Sequence, residues 1–192
     1  IIVKEENKMN IFETHAHYDD DQFDADREEL IESLPEQGVS TVVNVGASLN
    51  GCKASLEFAK KYPYFYAGVG VHPDACGELN EETFAELETW CQEEKVVAVG
   101  EIGLDYHWDV EPRDVQKKWF IRQIELARKL NLPINVHSRD AAEDTFNVIK
   151  EHAQGEDGAH SASRASYVGG TAITSNITLE AKFNPVSYKV SF

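Results

Sequence analysis

The sequence predicts a parallel α/β fold. Three observations lead there. Strand-like and helix-like segments alternate five times within the first 153 residues. The later strand-like segments are short, β-branched and nearly continuous in apolar character, as suits buried parallel strands. The intervening segments carry apolar residues at helical spacing, so each supplies a crossover. Crossovers of this kind are right-handed and make neighbouring strands parallel, in either a doubly wound sheet or a barrel. No GxGxxG follows the first strand, so a dinucleotide-binding sheet has no direct support.

Taken in order, Ile11 to His15 reads as a strand directly after Met9, the single methionine. Residues 22–38 place Phe23, Leu30, Ile31 and Leu34 at helical spacing, with Gly38 as the stop. Residues 41–46, TVVNVG, read as a buried strand, and 50–62 as a helix built on Leu56, Phe58, Ala59 and Tyr62. A third strand is expected over 64–71 and a helix over 80–94, with Phe84, Leu87 and Cys91 on one face. Residues 96–101, VVAVGE, form the fourth strand. The strongest helix is 112–131: Pro112 sits near its start, and Phe120, Ile124, Ala127 and Leu130 form one stripe. A fifth strand, 132–136, and a helix over 139–153 complete the series.

Composition narrows the functional classes. With 192 residues, 42% hydrophobic and 27% charged, the chain suits one folded domain with a sizeable core. No apolar run reaches the ~18 residues of a membrane span. Residues 1–8 lack a signal-peptide pattern and read as a leader before a start at Met9. Cys52, Cys76 and Cys91 are odd in number and contain no CxxC pair, which points to a reducing, cytoplasmic setting without a thiolate metal site. The net charge of −16 argues against electrostatic coating of nucleic acid. It leaves room for an enzyme that meets phosphate through bound cations. Residues 154–192 carry three acidic and three basic residues, so all of the net charge lies in 1–153. That Ser-, Thr- and Gly-rich tail differs in texture from the rest.

The chemistry gathers at strand ends. His15 and His17 lie at and just past the end of the first strand, His72 follows the third, Glu101 ends the fourth and His137 the fifth. In parallel α/β folds the C-terminal strand ends share one face, where sites form. Residues i and i+2 of a strand point the same way, so His15 and His17 can grip one ion. Glu101 interrupts an apolar run, and a buried carboxylate is costly unless paired or metal-bound. Imidazole and carboxylate suit Zn²⁺ or Mn²⁺. His72 fits an outer donor or a substrate contact as well as a ligand. Arg139 is a candidate phosphate contact. The six other Lys and Arg residues of 112–130 read as a solvated outer face with i,i+4 pairing.

Four motifs, FETHAH (12–17), GVHP (70–73), GEIGLDY (100–106) and HSRD (137–140), together resemble the TatD family of metal-dependent hydrolases and deoxyribonucleases. The resemblance runs from about Met9 to Gly158. It implies a (β/α)8 TIM-barrel-like fold, hydrolysis of phosphodiester bonds in DNA, and two divalent metal ions, Mg²⁺, Mn²⁺ or Zn²⁺. By resemblance, His15 and His17 take one metal, Glu101 bridges as the catalytic carboxylate, and His137 takes the second. The alternatives are a small-molecule amidohydrolase or phosphoesterase, or an inactive fragment keeping part of the metal site. DNA is the expected partner, with no membrane and no stable protein partner indicated.

The family also implies a later HCF-type His and an ETD-type Asp, and neither motif occurs after His137. His160 stands near the expected place of that His, in different surroundings. Five βα units are spent by residue 153, and the remaining 39 residues are too few for three more. The expectation is therefore a partial barrel over 9–153, an atypical tail over 154–192, and weak or absent turnover.

Overall fold

The computed structural model describes residues 10–153 in full, and beyond them the backbone of short strands at 165–167, 180–182 and 187–189. The leader assigned to 1–8, the start at Met9 and the candidate ligand His160 lie outside the described residues.

The strands are β1 (Ile11–Ala16), β2 (Val39–Val45), β3 (Phe65–Gly68), β4 (Val96–Asp105), β5 (Ile134–Arg139) and β6 (Ala165–Tyr167). They form one parallel sheet in sequence order, β1 through β6. Between them run α1 (Arg27–Ser33), α2 (Leu49–Lys61), α3 (Glu81–Trp90), α4 (Arg113–Leu130) and α5 (Ala142–His152). A doubly wound sheet reverses its order at a switch point; this one does not. Every crossover steps the same way, which puts the helices on one side and curls the sheet as in a barrel. β7 (Glu180–Lys182) and β8 (Ser187–Lys189) pair with each other antiparallel.

The curl is tight where β3 ends. The Glu101 amide donates to Gly46 O at 2.8 Å, past the end of β3, and the Gly100 amide donates to Val69 O at 3.0 Å. A Cβ on Gly70 would stand 2.6 Å from Gly100 Cα, so only glycine fits this approach.

Two apolar clusters hold the helices to the sheet. The larger joins Val69, Val99, Ile102, Leu104 and Ile134 of the sheet region to Leu56, Leu87, Trp119, Phe120 and Ile124 of the helices. The smaller packs Ile31 and Leu34 against Val42, Tyr62 and Phe65. Each fully buried side chain of this size contributes roughly 1.5–3 kcal/mol. Of the stripe expected on α4, Phe120, Ile124 and Ala127 are buried and Leu130 is partly buried, and Asn131 ends the helix in the left-handed conformation at φ 53°.

Four expectations need correction. Residues 22–38 are not one helix. A 3-10 turn at Asp21–Phe23, with Asp20 accepting from the Gln22 amide, precedes the short α1. Arg27 folds back onto the carbonyls of Tyr18, Asp19 and Asp20, which holds that turn apart from α1. β3 stops at Gly68 rather than 71, because the next residues cross over Gly100. β4 runs to Asp105, so Glu101 sits inside the strand rather than at its end. Finally, the basic residues of α4 pair mostly across elements: Lys117 with Asp144, Arg122 with Glu81 and Lys129 with Glu88. Arg113 alone follows an i,i+4 rule, with Asp109 at 3.1 Å. These are surface pairs worth at most about 1 kcal/mol each.

Candidate metal centre

β1 delivers His15 and His17 to the same side. Their Nε2 atoms stand 2.9 Å apart, and each lies 3.4 Å from Oε2 of Glu101. Nδ1 of His15 meets Oδ1 of buried Asn135 at 3.1 Å. An amide oxygen only accepts, so this bond places a proton on Nδ1 and turns Nε2 towards Glu101.

Glu101 is 7% exposed. Its other oxygen, Oε1, stands 3.3 Å from Nδ1 of His137. Burial by itself would raise this carboxyl, but hydrogen bonding from His137, His15 and His17 outweighs it and holds the group far below the usual carboxylate range. The imidazoles respond in kind. His17 is raised by its hydrogen bond to Glu101 against the cost of burial, and His137 is raised despite burial by Glu101 and Asp105.

Asp105, 1% exposed, holds the far side of His137: its Oδ2 is 2.9 Å from Nε2. Its Oδ1 accepts the amides of His107 at 2.9 Å and Trp108 at 2.8 Å. Burial would raise this carboxyl too, but those amides and His137 keep it lowered.

His72 caps the turn Pro73–Glu78, its Nδ1 accepting the Asp74 amide at 3.1 Å. Its ring centroid lies 4.2 Å from that of His137. Burial, then the neighbouring His137, push its pKa down to about 4. His72 is therefore neutral at pH 7, and with Nδ1 accepting, its proton sits on Nε2. Arg139 stands outside the imidazole cluster, with its guanidinium over the Trp108 ring at 5.2 Å.

Three overlapping groups have the makeup of a cation site: His15, His17 and Glu101; His72, Glu101 and His137; and His72, Asp74 and Asp105. Within each, the potential ligand atoms lie within 4.8 Å of one another. Glu101 belongs to the first two, with a separate oxygen for each side. Mixed imidazole and carboxylate donors suit a Zn²⁺ or Mn²⁺ ion.

The structure thus brings together His15, His17, His72, Glu101 and His137, and sets Arg139 at their rim. Sequence reading did not single out Asp105, Asp74 or Asn135. For Asp105 a signal existed. It lies four residues after Glu101, so in an extended strand both point to the same side.

A family model described as TatD related DNase matches residues 12–174. The chain belongs to that family. Among relatives, the TatD-family chain is 43% identical over 141 residues to an uncharacterized metal-dependent hydrolase, YabD, of Bacillus subtilis, covering 73% of this chain and 55% of that protein. It is 35% identical to a 3'-5' ssDNA/RNA exonuclease TatD of Cronobacter sakazakii, covering 68% and 50%. Among solved structures, the TatD homologue YJJV of Escherichia coli superposes with a TM-score of 0.69 at 28% identity, covering 75% of this chain and 56% of the other. The chain spans about half the length of the curated relatives it matches. No helix among the described residues is long and apolar enough to cross a membrane.

Proposed function

We propose that this chain carries a divalent-metal site for hydrolysing phosphodiester bonds in nucleic acid, with single-stranded or terminal DNA as substrate. The observation that carries this reading is the division of labour at Glu101, one oxygen towards His15 and His17 and the other towards His137. A single buried carboxylate between two imidazole groups fits the bridging ligand of a two-ion site. His15 and His17 would hold one ion, His137 the second, and Glu101 both. His160 remains a candidate further ligand. Mg²⁺, Mn²⁺ and Zn²⁺ are the ions in question, and they supply Lewis acidity to a phosphoryl oxygen and to water.

The protein's own groups supply the rest. Asn135 and Asp105 orient His15 and His137, fixing which nitrogen faces inward. His72, neutral with its proton on Nε2, offers a hydrogen-bond donor to a phosphate or a leaving oxygen. Arg139 offers a charged donor at the rim. An arginine over an exposed aromatic ring beside the cluster favours a polymer over a small molecule enclosed in an apolar pocket. The cytoplasm suits a chain whose three cysteines are all free thiols.

The test is metal analysis of the purified chain beside a nuclease assay on single-stranded DNA. Bound divalent metal, and hydrolysis that needs Mg²⁺ or Mn²⁺ and stops in excess EDTA, are expected. Undiminished hydrolysis in EDTA, or a chain that binds no divalent ion, overturns the reading.

A further inference from the structure

Trp108 is 60% exposed, the most exposed of the large apolar side chains in the described residues. Isolated exposed apolar residues are ordinary. This one differs in how it is held. Its amide and that of His107 are fixed to Oδ1 of Asp105, whose Oδ2 holds His137. The backbone that carries the indole is thereby tied through a single carboxylate to the candidate metal centre. Arg139, from the end of β5, lies over the ring at 5.2 Å. His107 packs at right angles to it, centroids 4.8 Å apart, and is itself anchored by Nδ1 to Asp140 at 3.0 Å. The ring is braced on its protein side while most of it stays in solvent.

We propose that Trp108 is a stacking platform for a nucleobase of single-stranded nucleic acid, next to the diester held at the centre. This deepens the hydrolase reading above and rests on it. The chemistry argues for a base. A large braced π-surface recognises another π-face and tolerates any of the four bases. The charge balance argues the same way. A chain of net charge −16 draws little from bulk attraction to phosphates. Arg139 is placed to contribute a charged contact beside the ring, which leaves stacking a larger share of the affinity. The Asp105 link sets the platform's distance from the metal ligands, so a stacked base would position its own phosphate.

The decisive measurement is binding of two short fluorescein-labelled, phosphorothioate-linked oligonucleotides, one of thymidylate and one of the same length with abasic sites, followed by anisotropy. The full chain is used, with Trp108→Ala, Trp108→Phe and Val110→Ala variants; Val110 is a neighbouring exposed apolar residue. Trp108→Ala is expected to weaken thymidylate binding about five- to hundredfold and leave abasic binding unchanged. Trp108→Phe should recover most of the loss, and Val110→Ala should match the native chain. Equal thymidylate affinity in Trp108→Ala overturns the platform and leaves the hydrolase reading standing. Equal losses for both oligonucleotides also overturn it, since the contact would then be to the backbone. A native chain that binds neither oligonucleotide overturns the platform together with the nucleic-acid reading.

Discussion

Asp105 Oδ2 stands 2.9 Å from His137 Nε2, and the same carboxylate is buried to 1% exposure. Carboxylates placed behind a ligating imidazole fix its orientation and raise its basicity, and their loss typically costs about 10–100-fold in metal affinity. Asp105→Asn keeps the shape but removes the charge. It is expected to weaken Zn²⁺ or Mn²⁺ binding within that range, read by calorimetric titration, while the fold survives. Unchanged affinity would show that Asp105 serves only the loop at 107–108.

Glu101→Gln tests the bridge. The amide retains one oxygen and turns an NH2 towards one of the two imidazole groups, where a lone pair and a cation are wanted. The expected outcome is a fall in the number of tightly bound divalent ions per chain, read by elemental analysis after dialysis. Full stoichiometry in Glu101→Gln would mean that the two imidazole groups do not depend on a shared carboxylate.

α4 buries two glutamines among its apolar stripe. Gln123 donates from Nε2 to Val71 O at 3.1 Å and accepts the Val71 amide at 2.8 Å. Gln116 does the same for Asp105, at 3.1 Å and 2.9 Å, and also donates to Glu111 O at 2.8 Å. These side chains replace ladder partners where the chain leaves the sheet beside His72 and after Asp105. Gln123→Leu would leave a buried N–H and C=O unpaired, a cost of about 2–4 kcal/mol offset only in part by added apolar surface. Urea unfolding should show that loss with little change in slope. A loss below about 1 kcal/mol would mean that water replaces the glutamine.

Those glutamines mark where sequence reasoning ran out. Apolar patterning located all five helices and the first five strands, because burial imposes a period of 3.6 on each helix and a short, nearly continuous apolar run on most of these parallel strands. It placed Phe120 and Ile124 on the buried face of α4, yet the same face includes Gln116 and Gln123, which a hydrophobic stripe reads as gaps. Their role depends on Val71 and Asp105, 52 and 11 residues away in sequence. The choice between barrel and doubly wound sheet was absent from the periodicity; the four motifs implied a barrel by resemblance, and the strand order agrees. At the site, the imidazoles and Glu101 were legible because polar residues at the ends of apolar strands or interrupting them stand out. Asn135 was not, since an asparagine inside INVHSR carries no sign that it meets His15 across the sheet.

The three cysteines give a prediction independent of the metal site. Cys52, Cys76 and Cys91 are free and buried. Cys52 Sγ donates to Gly70 O at 3.1 Å, and Cys91 Sγ lies 3.8 Å from Val69 O, so two of them sit behind the segment leading to His72. Burial pushes each thiol from 9.0 up to about 12. The reactive species is the thiolate, so the folded chain holds about a thousandfold less of it than the unfolded chain at neutral to mildly alkaline pH. Iodoacetamide at a pH of about 8 should leave the native chain unlabelled and modify all three cysteines in denaturant, read by mass spectrometry. The linkage has a definite sign. Between pH 9 and about 12 the unfolded chain has lost thiol protons that the folded chain retains, so unfolding releases protons and stability falls as pH rises through that window. Rapid labelling of the native chain at a pH of about 8 would show that the segment over Cys52 and Cys91 opens readily, and would take the packing behind His72 with it.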